Sequence, residues 1–224
     1  QHLFDVAVGG QLTAANLDAA ATVLAGSVAL AGGLVAIGGA GAGASTHNRI
    51  RTLIKAFIDG DKPTSGVTGG IRAARLALLA DDDSTITATT GSAALAATLG
   101  LVSGAVGIGV GVAKNEIANE VQAYIRDAND IQASGADGIR LHATNAASIT
   151  STAVAASAVR SGGYGGLSLS GAGVDAVNII QTRTRAYVDN SRLDSEGLIE
   201  VKSEVRSSRE YMLLRWMSSS KSTL

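Results

Sequence analysis

Three histidines, a run of three aspartates and one glycine-rich loop are where this chain could hold chemistry. His2, His47 and His142 stand far apart and form no metal-binding spacing of the His-Glu-x-x-His kind. They read as solvated or satisfied side chains. Asp81-Asp82-Asp83 is the densest acidic run. A hard cation such as calcium wants about six to eight oxygen ligands, so the run reads as a solvated turn. Gly162-Gly163-Tyr164-Gly165-Gly166 lacks the Lys-Ser/Thr of a phosphate loop and the Asp of calcium-binding nonapeptide repeats. No Gly-x-Ser-x-Gly elbow occurs, and the absence of Cys removes thiolate ligands and disulfides. The sequence points away from an enzyme: no catalytic, cofactor-binding or metal-ligating residue stands out, and no cofactor is expected.

Recurrence is the stronger signal. Asn48, Asn115 and Asn178 open three copies of one signature, at intervals of 67 and 63 residues. Each copy follows a charge-free Ala/Gly tract and leads to an aromatic residue: Phe57, Tyr124 or Tyr187. These aromatics are the candidate surface contacts. They could stack on sugars or, more plainly, pack neighbouring coils. A near-fixed period marks stacked or serial units, which supply an extended surface more readily than one pocket.

The units must be built from strands. Val106, Ile108, Val110 and Val112 alternate with Gly107, Gly109 and Gly111, the period-two pattern of a strand. A helix there would carry interior glycines, each costing about 1 kcal/mol relative to Ala. In the Asn signatures, Ile180, Thr182, Thr184, Ala186 and Val188 place β-branched residues along one side, as strands prefer. Ile117, Val121 and Ile125 are odd-numbered, whereas the Val/Ile set from Val106 to Val112 is even-numbered. If apolar residues face inward, the phase slips near Lys114-Asn115-Glu116. Asn48, Asn115 and Asn178 are therefore expected at structural corners, because Asn tolerates turn conformations.

A competing reading treats the charge-free tracts as membrane helices. They exceed the roughly 20 residues needed to span a bilayer, and Gly32-Leu-Val-Ala-Ile-Gly-Gly has small-xxx-small spacing. Their Ala, Gly, Ser and Thr content and lack of aromatic belts argue against it. The net charge of −1 gives no basic face for nucleic acid. With aromatics at 3%, the interior must be filled by Ala, Val, Ile, Leu and Thr.

The units run roughly over 1–69, 70–137 and 138–208, as one continuous array over 1–208. Residues 209–224 break the pattern with Arg209-Glu-Tyr-Met-Leu-Leu-Arg-Trp-Met217, expected as a short capping helix or an abrupt end. The start at Gln1, with Met212 the first Met, suggests a segment of a longer parent.

The order of a Gly-rich tract, Gly-Val-Gly-Val-Ala-x-Asn115-x-Ile117, Ala123-Tyr124-Ile125, Gly138-Ile139 and Ala-Ser-Ile-Thr resembles the repeats of very large bacterial surface proteins. These are the leukotoxin-type filamentous adhesins and haemagglutinin-like repeat proteins, and the resemblance covers about residues 5 to 208. It implies an extracellular parallel β-solenoid that displays or spaces adhesive regions, with no catalytic residues to carry over.

The expectation is an all-β chain, a parallel β-solenoid (β-helix) of three imperfect repeats of about 63–67 residues, each making three coils of about twenty residues. Its expected role is a structural or adhesive segment of a secreted or cell-surface protein. The alternative is a membrane-active Ala/Gly-rich segment. Expected partners are glycans or other cell-surface components and further repeats of the parent chain, not nucleic acid.

Overall fold

The computed structural model describes residues 7–11, 18–61, 70–128 and 130–222. Every regular element among them is a strand. After β1 (Ala7–Gln11), a first layer comprises β2 (Asp18–Ile50), β3 (Leu53–Asp61), β4 (Ile71–Ala73) and β5 (Leu76–Asp82). The second comprises β6 (Thr85–Ala128), β7 (Ile131–Ala133) and β8 (Ile139–Asn145). The third comprises β9 (Ser148–Gly162), β10 (Gly165–Asp189), β11 (Leu193–Ser195) and β12 (Ile199–Val205), and β13 (Ser208–Ser222) begins another.

Each layer pairs with the next in parallel and in register. β2 and β3 lie on β6, which carries β9 and β10 on its other edge. The short strands repeat this as β4–β7–β11 and β5–β8–β12. Hydrogen-bonded partners therefore sit a whole repeat apart, as Asn48 on Asn115 and Ile71 on Ile131. The expected coils of about twenty residues are not present: one repeat makes one layer. Among the described strands only β1 is antiparallel, running along β3 from Ala7 opposite Asp59 to Gln11 opposite Lys55.

Within β6 the chain goes out and returns. Ile86, Ala88, Thr90, Ser92, Ala94, Ala96 and Thr98 face inward on the outgoing limb. On the returning limb the inward set is Ser103, Ala105, Gly107, Gly109, Gly111 and Ala113, continuing through Asn115, Ile117, Asn119, Val121, Ala123 and Ile125. The change of parity thus falls around Gly100, not at Lys114–Glu116. Val106, Ile108 and Val110 are exposed and the glycines between them buried, so apolar character misplaced the slip. At the same point of the third layer Gly163 has φ +138°, and a Cβ there would lie 1.6 Å from the Gly100 carbonyl oxygen. Only glycine permits this fold-back.

The two limbs form a thin arm. A Cβ on Gly109 would sit 2.6 Å from the Ala156 carbonyl oxygen, so glycine brings these sheets closer than the roughly 10 Å of ordinary face-to-face packing. Hydroxyls tie the limbs together: Ser157 Oγ donates to Gly107 O at 2.8 Å and Ser103 Oγ to Gly162 O at 3.1 Å. At the other end the layers widen around Ile54, Ile58, Val121, Ile125, Ile131 and Leu141. A smaller cluster of Ile50, Ile86, Ile117 and Ile149 marks the junction with the arm. Each fully buried Ile contributes about 1.5–3 kcal/mol.

The tail differs from expectation. Ser208–Ser222 is a strand paired residue for residue with Ser148–Gly162, not a capping helix. Lys62-Pro63, where the sequence leads one to expect a turn, lies outside the described residues.

Candidate functional site

Side chains of like position in successive layers lie one strand apart, so a repeated residue becomes a row. Asn48, Asn115 and Asn178 make such a row on the interior side of β2, β6 and β10. Asn48 Nδ2 donates to Asn115 Oδ1 at 2.8 Å, and Asn115 Nδ2 to Asn178 Oδ1 at 2.9 Å. Asn115 and Asn178 are mid-strand and Asn48 is still within β2, two residues before its end, and together they form an amide ladder buried at Asn115, so the corner assignment fails. Satisfied side-chain amides inside a sheet stack fix register, because any slip would leave buried donors without acceptors.

A second interior network went unrecognised in the sequence. Asp82 is 1% exposed, while Asp81 and Asp83 beside it are exposed. Its Oδ1 accepts from Ser84 Oγ at 2.6 Å, and its Oδ2 from Asn119 Nδ2 at 2.6 Å and Asn145 Nδ2 at 2.5 Å. Asn119 in turn accepts from the Thr52 backbone N–H at 3.1 Å. This carboxylate is held by neutral donors at the corner where β5 turns into β6. Strand parity was the available signal: Asp82 shares it with Leu78, Ala80, Ser84 and Ile86, all buried.

On the outside, Phe57, Tyr124 and Tyr187 stack along the layer direction. Ring centroids are 5.3 Å apart for Phe57–Tyr124, with planes 12° apart, and 5.1 Å for Tyr124–Tyr187, with planes 5° apart. Tyr124 is 7% exposed with a neighbouring ring on each face, which leaves it no free face for a sugar. The stack is a contact between layers. Arg126 lies 5.8 Å from the Tyr124 ring centre, and its guanidinium grips Asp59 through two of its nitrogens, Nε to Oδ1 at 3.0 Å and Nη2 to Oδ2. The Asp59 hydrogen bond and charge raise the Arg126 pKa further. Burial, then Asp59, raises that of the Tyr124 hydroxyl.

Beside this stack runs a shallow trough of about 620 Å³, between Arg51, Leu53, Ala118, Glu120, Gln181 and Arg183. It forms where the first layer interrupts its strand at Arg51-Thr52, between β2 and β3. Small Ala118 is its floor, between Arg51 and Gln181 in the adjacent layers. Thr52, 4% exposed, lies beneath it: it shares the inward parity of Ile50 and Ile54, and its buried hydroxyl has no hydrogen-bond partner. Lys55 and Arg185 flank Gln122 two positions on. No ion pair involves Arg51, Lys55, Arg183 or Arg185 among the described residues, whereas Arg49 pairs with Glu116 at 3.0 Å.

Other polar side chains cluster between the second and third layers, where β12 lies on β8. His142 Nε2 lies 3.3 Å from Glu200 Oε1, without the alignment of a hydrogen bond, and Arg140 Nε 3.0 Å from Glu200 Oε2. His142, assisted by Arg140, holds the Glu200 carboxyl below its usual range. His47 neighbours Lys114 on the outside, and His2 lies outside the described residues. Among the described residues no three His, Asp or Glu side chains group as metal ligands. Gly162–Gly166 spans the fold-back of the arm.

The arm presents apolar residues to solvent, including Leu34, Val35, Ile37, Leu99, Leu101 and Tyr164, with Ile37 81% exposed. No helix among the described residues is long and apolar enough to cross a membrane. The Ala/Gly tracts that could have been helices are the limbs of the arm.

Compared with protein-family models, with curated proteins and with solved structures, the chain matches none.

Proposed function

We propose that this chain is a stretch of parallel β-solenoid, one turn per repeat, serving as a structural or adhesive segment of a large secreted or cell-surface protein. The observation that carries this reading is the in-register stacking of whole repeats, which turns single residues into rows on a continuous outer wall. Such a wall suits many weak contacts, where avidity comes from repetition and effective concentration. Its role is non-catalytic, and its partners are glycans or other cell-surface components. The outer edges of β2 and β10 pair with no strand among the described residues, which favours further repeats of the parent chain as neighbours.

The test is adhesion of beads coated with the purified chain, at graded density, to animal cells and immobilised glycans. Binding that rises steeply with density supports the adhesive role. Beads that adhere to nothing at any density leave the stalk role alone. Tandem copies imaged by electron microscopy then decide it, since a stalk must lengthen by about 4.8 Å per added repeat.

A second reading, a membrane-active segment, is favoured by one observation: the first layer's part of the arm, charge-free over residues 19–46, exposes Leu24, Leu34 and Ile37. Contact would be made by strands at an apolar edge. Dye release from lipid vesicles on adding the chain is its test, and intact vesicles overturn it.

A further inference from the structure

We infer that the trough between Arg51 and Arg183 binds a linear polysaccharide bearing carboxylates along its length, a polyuronate. This names a ligand class for the outer wall proposed above and rests on that reading. The argument begins with charge. In a chain of net charge −1, Arg51, Lys55, Arg183 and Arg185 stand exposed or half-exposed on one wall with no ion pair among the described residues. Nearby cations are engaged, Arg49 by Glu116 and Arg126 by Asp59. Unpaired guanidinium groups suit carboxylate oxygens, which they grip with two parallel hydrogen bonds.

Geometry adds a direction. Arg51 and Arg183 belong to the first and third layers, two strand spacings apart, about 9–10 Å along the stack. That is of the order of a disaccharide. Lys55 and Arg185 repeat the spacing further along the wall. Between them Ala118 leaves room for a ring, and Glu120 and Gln181 line the trough with groups that can bond sugar hydroxyls. Glu120 already accepts from Gln122 at 2.5 Å, so it is held in place. The aromatic stack tells against single-stranded nucleic acid, which needs open ring faces for its bases. Here those of Tyr124 are covered by Phe57 and Tyr187.

The test is titration calorimetry of the full chain with oligogalacturonate, with dextran and single-stranded DNA as comparisons. The inference expects binding of oligogalacturonate alone, weakening as salt shortens the range of the charges. Replacing both Arg51→Gln and Arg183→Gln should weaken it about tenfold or more. Making the same charge change as Arg160→Gln and Arg209→Gln should leave it unaltered. Circular dichroism and melting of each variant establish that the fold is retained. No binding of oligogalacturonate, equal binding of DNA, or equal loss in the two double variants overturns the inference. Cell adhesion of coated beads separates the two failures: beads that adhere without binding polyuronate lose only the ligand class, and beads that do neither lose the adhesive reading as well.

Discussion

Asn115 and Asn178 are joined by a 2.9 Å side-chain hydrogen bond across 63 residues of sequence. The bond belongs to a ladder that passes through all three layers and is closed to water at Asn115, which is 0% exposed. Replacing Asn115 by Ala removes both rungs at once and the bond to Ser151. The expected cost is about 1–3 kcal/mol for the buried groups left behind. Urea unfolding of the variant against Asn48→Ala, which loses one rung, checks the order: the central residue must cost more.

Asp82 offers a contrast within three adjacent aspartates. Asp82→Asn would set an amide donor or a poorer acceptor against the Asn119 and Asn145 amides and should destabilise by about 1–3 kcal/mol. Asp81→Asn, at an exposed position, should stay within about 0.5 kcal/mol of wild type. Equal unfolding midpoints for the two variants would remove the interior role assigned to Asp82.

In the arm, Gly109→Val inserts a side chain where a Cβ alone meets the Ala156 carbonyl oxygen. Overpacking of this kind costs about 1–3 kcal/mol, and the limbs should part locally. Limited proteolysis should then cut within the arm before the wide end is lost. Ile108→Thr, on the exposed side of the same strand, should leave the digestion pattern unchanged.

The Glu204 carboxyl is held down at about 2 by its hydrogen bond to Arg206 and then by Lys202. An unfolded Glu titrates near about 4.3. The folded value is the lower, so the stabilising contribution is complete above about pH 4.3 and vanishes as pH falls towards 2. Arg206→Ala should move the Glu204 midpoint upward. A carbon-detected NMR titration of its carboxyl group in both proteins reads this directly, and an unmoved midpoint would sink the assignment.

How far this fold could be read from the residues depended on what each position signalled. The alternation of Gly107, Gly109 and Gly111 with Val and Ile identified a strand. It inverted the strand's faces, because close sheet approach needs small residues inside and leaves Ile108 outside. The recurrence of Asn48, Asn115 and Asn178 was plain, yet their role required knowing that one repeat stacks on the next. Unit boundaries at residues 70 and 138 would set Ile71 level with Ile139, but Ile71 pairs with Ile131, because β3 and β4 are separated by more residues than β6 and β7. The trough was hidden for a different reason. Arg51 and Arg183 come from separate layers and stand at different positions of the repeated signature, so aligning the copies does not bring them together.

The one-repeat layer has a mechanical consequence. Each layer adds about 4.8 Å of height while committing more than sixty residues to it, so the chain gains girth far faster than reach. Backbone hydrogen bonds between layers point along the stack. A pull on its two ends would load all the bonds of a layer in parallel, as in a wide weld, unless the pull is off-centre and peels the arm first. A slender rod of short coils would put the same force on a third as many bonds.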